Sequence, residues 1–364
     1  MHIRYAKRSC TVRDCHASLN DMVGYFYSIV FRQILRLCYK LLRFCYSIFA
    51  LPHEFCFIKN KAMKIIVTGS LGYVSKPLTE ELIKQGHSVT VISSNAEKQK
   101  EIEALGAKAA IGTMEDVVFL TDTFTGADAV YCMLAPGGSF ADPDNSVDNV
   151  IARANEIANN YLQAIQQSGV KRVVYLSSIG ADMKKDSGLI IIHHNAENIL
   201  NKLPSDVNIS FIRPSGFYKN LFAFIPSIKS QGIIAARYGG DDKNIFVSAI
   251  DIADAIVDEL ESQIGGRKVR YVASEELTCN EAADILGAAI GKPDLKWVSV
   301  SDEQQFNIYK GFGMNDSLAH QFVEMNASIH YGKFYENYSR NKPTLGKVKL
   351  KDFAKEFAAV YNQK

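Results

Sequence analysis

The chain has 364 residues, 47% hydrophobic and 22% charged, with a net charge of +2 at neutral pH. That composition is ordinary for a globular protein and leaves room for a sizeable core. The charge is uneven: residues 1–62 hold 10 Lys/Arg against 3 Asp/Glu, and the rest holds 31 against 36, so the body is mildly acidic and unsuited to binding nucleic acid.

Residues 23–51 are apolar and aromatic, interrupted by Arg32, Arg36, Lys40 and Arg43, which share one face of a helix. No run reaches the roughly 18 uncharged residues of a membrane span, and no secretory cleavage site is evident. Three readings stay open for residues 1–62. They are a basic amphipathic helix lying on a membrane surface, a targeting extension, or in-frame sequence upstream of a start at Met63. Five of the seven cysteines fall in this segment. Cys132 and Cys279 are isolated in the body, which gives neither a disulfide framework nor a metal-binding pattern. A reducing cytoplasm is the simplest home for residues 63–364, with no membrane segment among them.

From Met63 onward, strand and helix signals alternate, as in a parallel sheet covered by helices. The first strand, Lys64–Thr68, runs into a turn holding Gly69 and Gly72, with Ser75 where a third glycine usually stands. A helix with Pro77 in its first turn follows, then a strand at His87–Ile92 and a helix capped by Asn95. Further strands are expected at Lys108–Ile111, Ala129–Leu134, Arg172–Ser177 and Asn208–Arg213. Between the last three lie helices over about 144–168 and 189–203. A loop-rich stretch is expected to about Lys243, then a strand at Ile245–Val247, a helix at Asp251–Glu261 and a strand at Lys268–Val272. Thr278 with Glu281, and Ser301 with Gln304, are capping-box signatures. An amphipathic helix carrying Phe353, Phe357, Val360 and Tyr361 ends the chain.

A strand that ends in a glycine turn and opens a helix is a phosphate-binding device. Gly69, Ser70, Leu71, Gly72, Tyr73 and Val74 are therefore candidate dinucleotide contacts. The end of the second strand discriminates between nicotinamide cofactors, because an acid there would bind the ribose 2′-OH of NAD. Here it reads Ser93, Ser94 and Asn95, with Lys98 and Lys100 nearby, which suits a 2′-phosphate. NADP is expected, with NAD as the alternative. Leu134 and Ala135, ending the Ala129–Leu134 strand, and Pro214, after Arg213, lie at the carboxyl edge of the sheet and complete the candidate cofactor set.

Taken in order, the Thr68-Gly-Ser-Leu-Gly-Tyr-Val-Ser75 turn, the Val173-Val-Tyr-Leu-Ser-Ser178 strand, His193-xxx-Glu197, and Arg213-Pro-Ser-Gly-Phe-Tyr-Lys-Asn220 resemble the NmrA-like branch of atypical short-chain dehydrogenases/reductases. Asp251-Ile-Ala-Asp-Ala255 adds to the set, and the resemblance spans Met63 to the C-terminus. It implies an α/β fold: a Rossmann-type doubly wound parallel sheet with a small C-terminal α+β substrate lobe. The dinucleotide domain is expected over 63–213, with 244–262 packing back on it. The substrate lobe is expected over 214–243 and 263–364. The family includes NAD(P)H-dependent quinone, dye and isoflavone reductases as well as catalytically silent redox sensors.

Typical short-chain dehydrogenases pair a serine with Tyr-xxx-Lys, and the resemblance places Ser178 at the serine. The Tyr-xxx-Lys register carries His193 and Glu197 instead. At i and i+4 the two share a helix face, where the carboxylate could orient and charge the imidazole, and His193 could protonate a substrate oxygen or line the pocket. A structural role for the pair is the other reading. The departure argues against ordinary alcohol dehydrogenase chemistry. The expectation is an NAD(P)H-dependent oxidoreductase reducing a small quinone, enone or carbonyl. The alternative is a non-catalytic NADP(H)-binding sensor with a protein partner.

Overall fold

A computed structural model describes residues 62–363 apart from 140 and 143; the expectations for residues 1–61 lie outside it. In chain order the first half runs β1 Lys64–Val67, α1 Ser75–Lys84, β2 Ser88–Ser93, α2 Gln99–Ala104, β3 Lys108–Ile111, α3 Val117–Phe124, β4 Ala129–Met133, α4 Val147–Ser168, β5 Arg172–Leu176, α5 Ile191–Leu200 and β6 Asn208–Pro214. The second half runs β7 Gly216–Phe217, α6 Ile225–Gln231, β8 Ile233–Ala236, β9 Lys243–Val247, α7 Ala249–Glu261, β10 Arg267–Val272, β11 Glu275–Thr278, α8 Cys279–Ala289, β12 Lys296–Ser299, α9 Asp302–Gly311, α10 Asp316–His330, α11 Glu336–Arg340 and α12 Leu350–Tyr361.

Seven strands form one parallel sheet in the order β10-β6-β5-β4-β1-β2-β3. The fold is thus α/β and doubly wound. The strand order reverses between β1 and β4, the crevice where ligands bind in open α/β sheets. Alternation along each strand sorts the core into two layers. In β4, Val130 and Cys132 join a cluster with α3, α4 and α5, while Ala129 and Tyr131 join one with α1 and α7. The long helix α4 buries Val150, Ala154, Ile157, Tyr161 and Ile165 at helical spacing. Each large apolar side chain among them contributes about 1.5–3 kcal/mol. Gly169 ends it at φ 78°, a left-handed residue that glycine adopts at little cost.

A second core gathers Tyr218, Phe246, Trp297, Phe353 and Phe357 around β8, β12, α8 and α12. It is flanked by a three-stranded sheet, β11-β9-β7, and the two-stranded β12-β8. Several expectations need correction here. The stretch to Lys243 is not mainly loop: it holds a 3-10 helix at Tyr218–Phe224, then α6 and β8. Their signals are faint because β8 has four residues and finds its partner β12 some sixty residues later. Arg267–Val272, expected in the substrate lobe, is the edge strand of the large sheet. The chain leaving α7 returns parallel to β6, with Tyr271 beside Arg213. The helix expected to about 203 ends at Leu200. No helix among the described residues is long and apolar enough to cross a membrane.

Candidate functional site

The turn after β1 is pinned from below. The Ser70 amide donates to the Ile92 carbonyl at 2.9 Å and the Gly72 amide to the Gly69 carbonyl at 3.1 Å. Gly69 takes φ +89°, and a Cβ there would lie 2.9 Å from Ser75 Oγ. Ser75 in turn donates its hydroxyl to the Thr68 carbonyl at 2.9 Å. The serine in the third glycine position therefore seals the turn against the strand end instead of forcing the two apart.

This turn fits a dinucleotide pyrophosphate on an observation of its own. The amides of Leu71, Tyr73 and Val74 donate no hydrogen bond among the described residues. The Val74 cap supplies no side-chain acceptor, and the first turn of α1 carries no acid. Orphan donors and a helix dipole with no internal anion make a site for an external one. A Cβ on Gly72 would lie 3.0 Å from the Gly69 carbonyl oxygen, on the backbone that must approach the phosphate. Gly72→Val is expected to weaken NADPH binding at least tenfold, about 1.4 kcal/mol, in a fluorescence titration. Unchanged affinity would move the phosphates elsewhere.

At the end of β2 the three expected contacts have different duties. Ser93 is buried, and its hydroxyl joins Ser70 Oγ at 3.0 Å and the Asn95 backbone at 3.2 Å. Asn95 accepts the Glu97 amide as a helix cap. Ser94 is exposed, and its hydroxyl has no hydrogen-bond partner among the described residues. Glu101 holds Lys98 at 2.7 Å and stands 3.8 Å from Lys76. After β4, Leu134 is buried and Ala135 exposed. Arg153 Nε fixes that loop by donating to the Pro136 carbonyl at 2.6 Å. Pro214 ends β6, and its carbonyl accepts the Ile179 amide at 2.9 Å, joining the loops after β5 and β6. Tyr73 turns its ring toward Phe217, centroids 5.8 Å apart, with Lys219 Nζ 5.2 Å above it.

His193 and Glu197 do share helix α5, yet they do not pair. Glu197 is buried and accepts Arg213 Nε at 2.9 Å on one oxygen and Arg213 Nη2 at 2.6 Å on the other. Ser177 Oγ adds a third bond at 2.6 Å. The carboxylate is spent on a guanidinium that β6 carries into the protein, so the expected charging of His193 by Glu197 is corrected. His193 Nδ1 instead meets Tyr175 Oη at 3.1 Å, from β5. Burial pushes the imidazole pKa down to about 4, so the ring is neutral at neutral pH. Its Nε2 has no partner among the described residues. Ser178, half-buried, donates its hydroxyl to the Ile179 carbonyl at 2.9 Å. His194 bonds the Ala181 carbonyl at 2.9 Å and braces the same loop.

Sequence reasoning missed Arg213, Ser177 and Tyr175 as parts of this site. Arg213 had a readable signal: a lone charge in the buried strand Asn-Ile-Ser-Phe-Ile-Arg-Pro must find a partner. Its Nη1 also donates to Tyr271 Oη at 3.0 Å and lies 3.4 Å from Asp182.

A family model described as NAD(P)H-binding matches residues 69–263, from the glycine turn to the end of α7. The chain belongs to that family. Its motifs place it in the NmrA-like, atypical short-chain dehydrogenase/reductase branch. Among curated relatives, an NAD(P)H azoreductase of Xenophilus azovorans is 27% identical, over 72% of this chain and 86% of its own. A (4-alkanoyl-5-oxo-2,5-dihydrofuran-3-yl)methyl phosphate reductase of Streptomyces griseus is 25% identical, over 63% and 74%. An NADPH-dependent quinone oxidoreductase of Escherichia coli, solved with NADPH, shares the fold at a TM-score of 0.67 and 20% identity, covering 80% of this chain and 99% of that one.

Proposed function

We propose that this protein is an NADPH-dependent reductase of a small quinone, enone or carbonyl compound. The observation that carries the reading is His193: a neutral imidazole at the carboxyl side of the sheet, whose Nε2 has no partner among the described residues, in a chain whose glycine turn has three amides that find no acceptor among those residues. The two curated relatives named above, both reductases, support it. NADPH, when bound, supplies the hydride. The amides of Leu71, Tyr73 and Val74 would hold its pyrophosphate. Ser94, with Lys98 and Lys76 released from Glu101, would meet the 2′-phosphate. His193 Nε2 would hydrogen-bond the substrate oxygen as negative charge develops there, and a proton from water would complete the two-electron reduction. An acceptor whose reduced form is already stabilised, such as a quinone, needs no stronger acid.

The test is NADPH consumption with quinones, enones, aldehydes and azo dyes, together with dissociation constants for NADPH and NADH. Turnover on at least one class is expected, with NADPH bound at least tenfold more tightly than NADH. Tight binding without turnover on any of them would overturn the reductase reading in favour of a sensor. Tighter NADH binding would overturn the cofactor preference.

A further inference from the structure

We infer that Tyr175, a buried strand residue, is a positioning residue that fixes His193 in the tautomer carrying its proton on Nε2. The inference deepens the reductase reading and rests on it for its catalytic consequence, although the tautomer itself can be read without any substrate.

The geometry leaves one good arrangement. Tyr175 is fully buried between Phe211, whose ring it meets edge-on at 6.2 Å, and helix α5. Its hydroxyl has a single partner among the described residues, His193 Nδ1, at 3.1 Å. Only one proton can lie between the two atoms. If Nδ1–H donated to the phenol oxygen, the phenol O–H would be left in the core with no acceptor. A buried donor left unmade costs about 1–3 kcal/mol. If the phenol donates to Nδ1, both atoms are satisfied and the ring proton must sit on Nε2. Burial raises the phenol pKa well above its ordinary value, so the proton stays on oxygen. It lowers that of the imidazole, so Nδ1 stays an acceptor.

The consequence is chemical. A histidine at this position could present Nε2 to a ligand as an acceptor or as a donor. The tyrosine on β5 selects the donor, which suits an oxygen gaining negative charge and repels a hydroxyl-donating or cationic group. The Tyr-xxx-Lys of typical short-chain dehydrogenases is thus replaced by two residues from two elements. Helix α5 carries the donor and β5 sets its polarity.

The experiment uses the full chain labelled with nitrogen-15 histidine, alone and with NADPH. In the wild type, His193 is expected to show a protonated Nε2 and a hydrogen-bonded, unprotonated Nδ1 at neutral pH. In Tyr175→Phe the Nδ1 shift is expected to move to that of an unbonded nitrogen, and kcat with the best acceptor to fall about tenfold while KM and NADPH affinity hold within twofold. In the His193→Ala background, Tyr175→Phe is expected to change kcat no further, because the tyrosine acts only through the ring. A wild-type spectrum with the proton on Nδ1, or a Tyr175→Phe spectrum identical to wild type, overturns the inference whatever the activity. Unchanged turnover in His193→Ala overturns the catalytic reading of His193 and leaves the spectra to decide the tautomer. Thermal unfolding of Tyr175→Phe within a few degrees of wild type separates the loss of a hydroxyl from a loss of fold.

Discussion

Glu197→Ala is expected to cost about 3–5 kcal/mol of stability, because it strands a charge inside the protein. The Arg213 and Glu197 side chains are each only 9% exposed. Their two bonds use both carboxylate oxygens, and Ser177 takes a further lone pair. Removing the acid leaves Arg213 with Tyr271 and the more distant Asp182. The guanidinium cannot escape by losing its proton, because arginine stays charged in proteins. At about 2–4 °C per kcal/mol, a fall in Tm on the order of 10 °C should follow. Replacing both partners, as in Glu197→Leu with Arg213→Met, should recover most of the loss, since the cost lies in the orphaned charge and not in the pair. Calorimetry on the three variants checks this. A loss below about 1 kcal/mol in Glu197→Ala would mean that water reaches the pair and that it behaves as a surface bridge.

That same pair shows where the sequence is legible and where it is not. Strands β1 to β6 are legible because each is a short apolar run closed by Gly, Pro, Ser or Asn, with a helical pattern between most of them. The glycine turn is legible because its chemistry is local: all its parts lie within a dozen residues. The partner of Glu197 is not local. Helical spacing points the acid at His193, four residues back, and that reading competes with a guanidinium from another strand. The guanidinium wins on magnitude. An unpaired buried Arg213 costs several kcal/mol, whereas a neutral, half-buried imidazole asks for one ordinary hydrogen bond and takes it from Tyr175.

Elements whose partners are distant were missed for the same reason. The short strand β8 depends on β12. Helix α10 offers only Leu318, Ala319 and Val323 as buried apolar residues, and its cap is the side-chain oxygen of Asn315, which accepts the Ser317 amide. Helix α3 did carry a readable signal, the Asp116 carboxylate that accepts the Val118 and Phe119 amides ahead of an apolar run. The edge position of β10 follows from sheet order, which strand propensity does not encode.

His193→Ala is expected to lower kcat by roughly 10²–10³-fold, the usual cost of removing one hydrogen-bond donor to a developing oxyanion. NADPH affinity should hold within about twofold, since the phosphate cradle and the Ser94 side of the site are untouched. Two further measurements separate a neutral donor from an acid. An imidazolium acid would impose a loss of rate as pH rises through the ordinary histidine pKa, about 6.5. Here burial holds the pKa down at about 4, so the ring is uncharged from pH 6 to 8 and kcat should show no histidine inflection in that window. The stability linkage runs the same way. The folded state resists protonating this ring, so the contribution is complete above pH 6.5 and is lost as pH falls toward 4. His193→Gln keeps a neutral N–H donor and should recover part of the lost rate, which an acid-catalysed step would not allow. A wild-type inflection near pH 6.5 that vanishes in His193→Ala, with no recovery in His193→Gln, would assign the ring as an acid and place its charge outside the control of Tyr175.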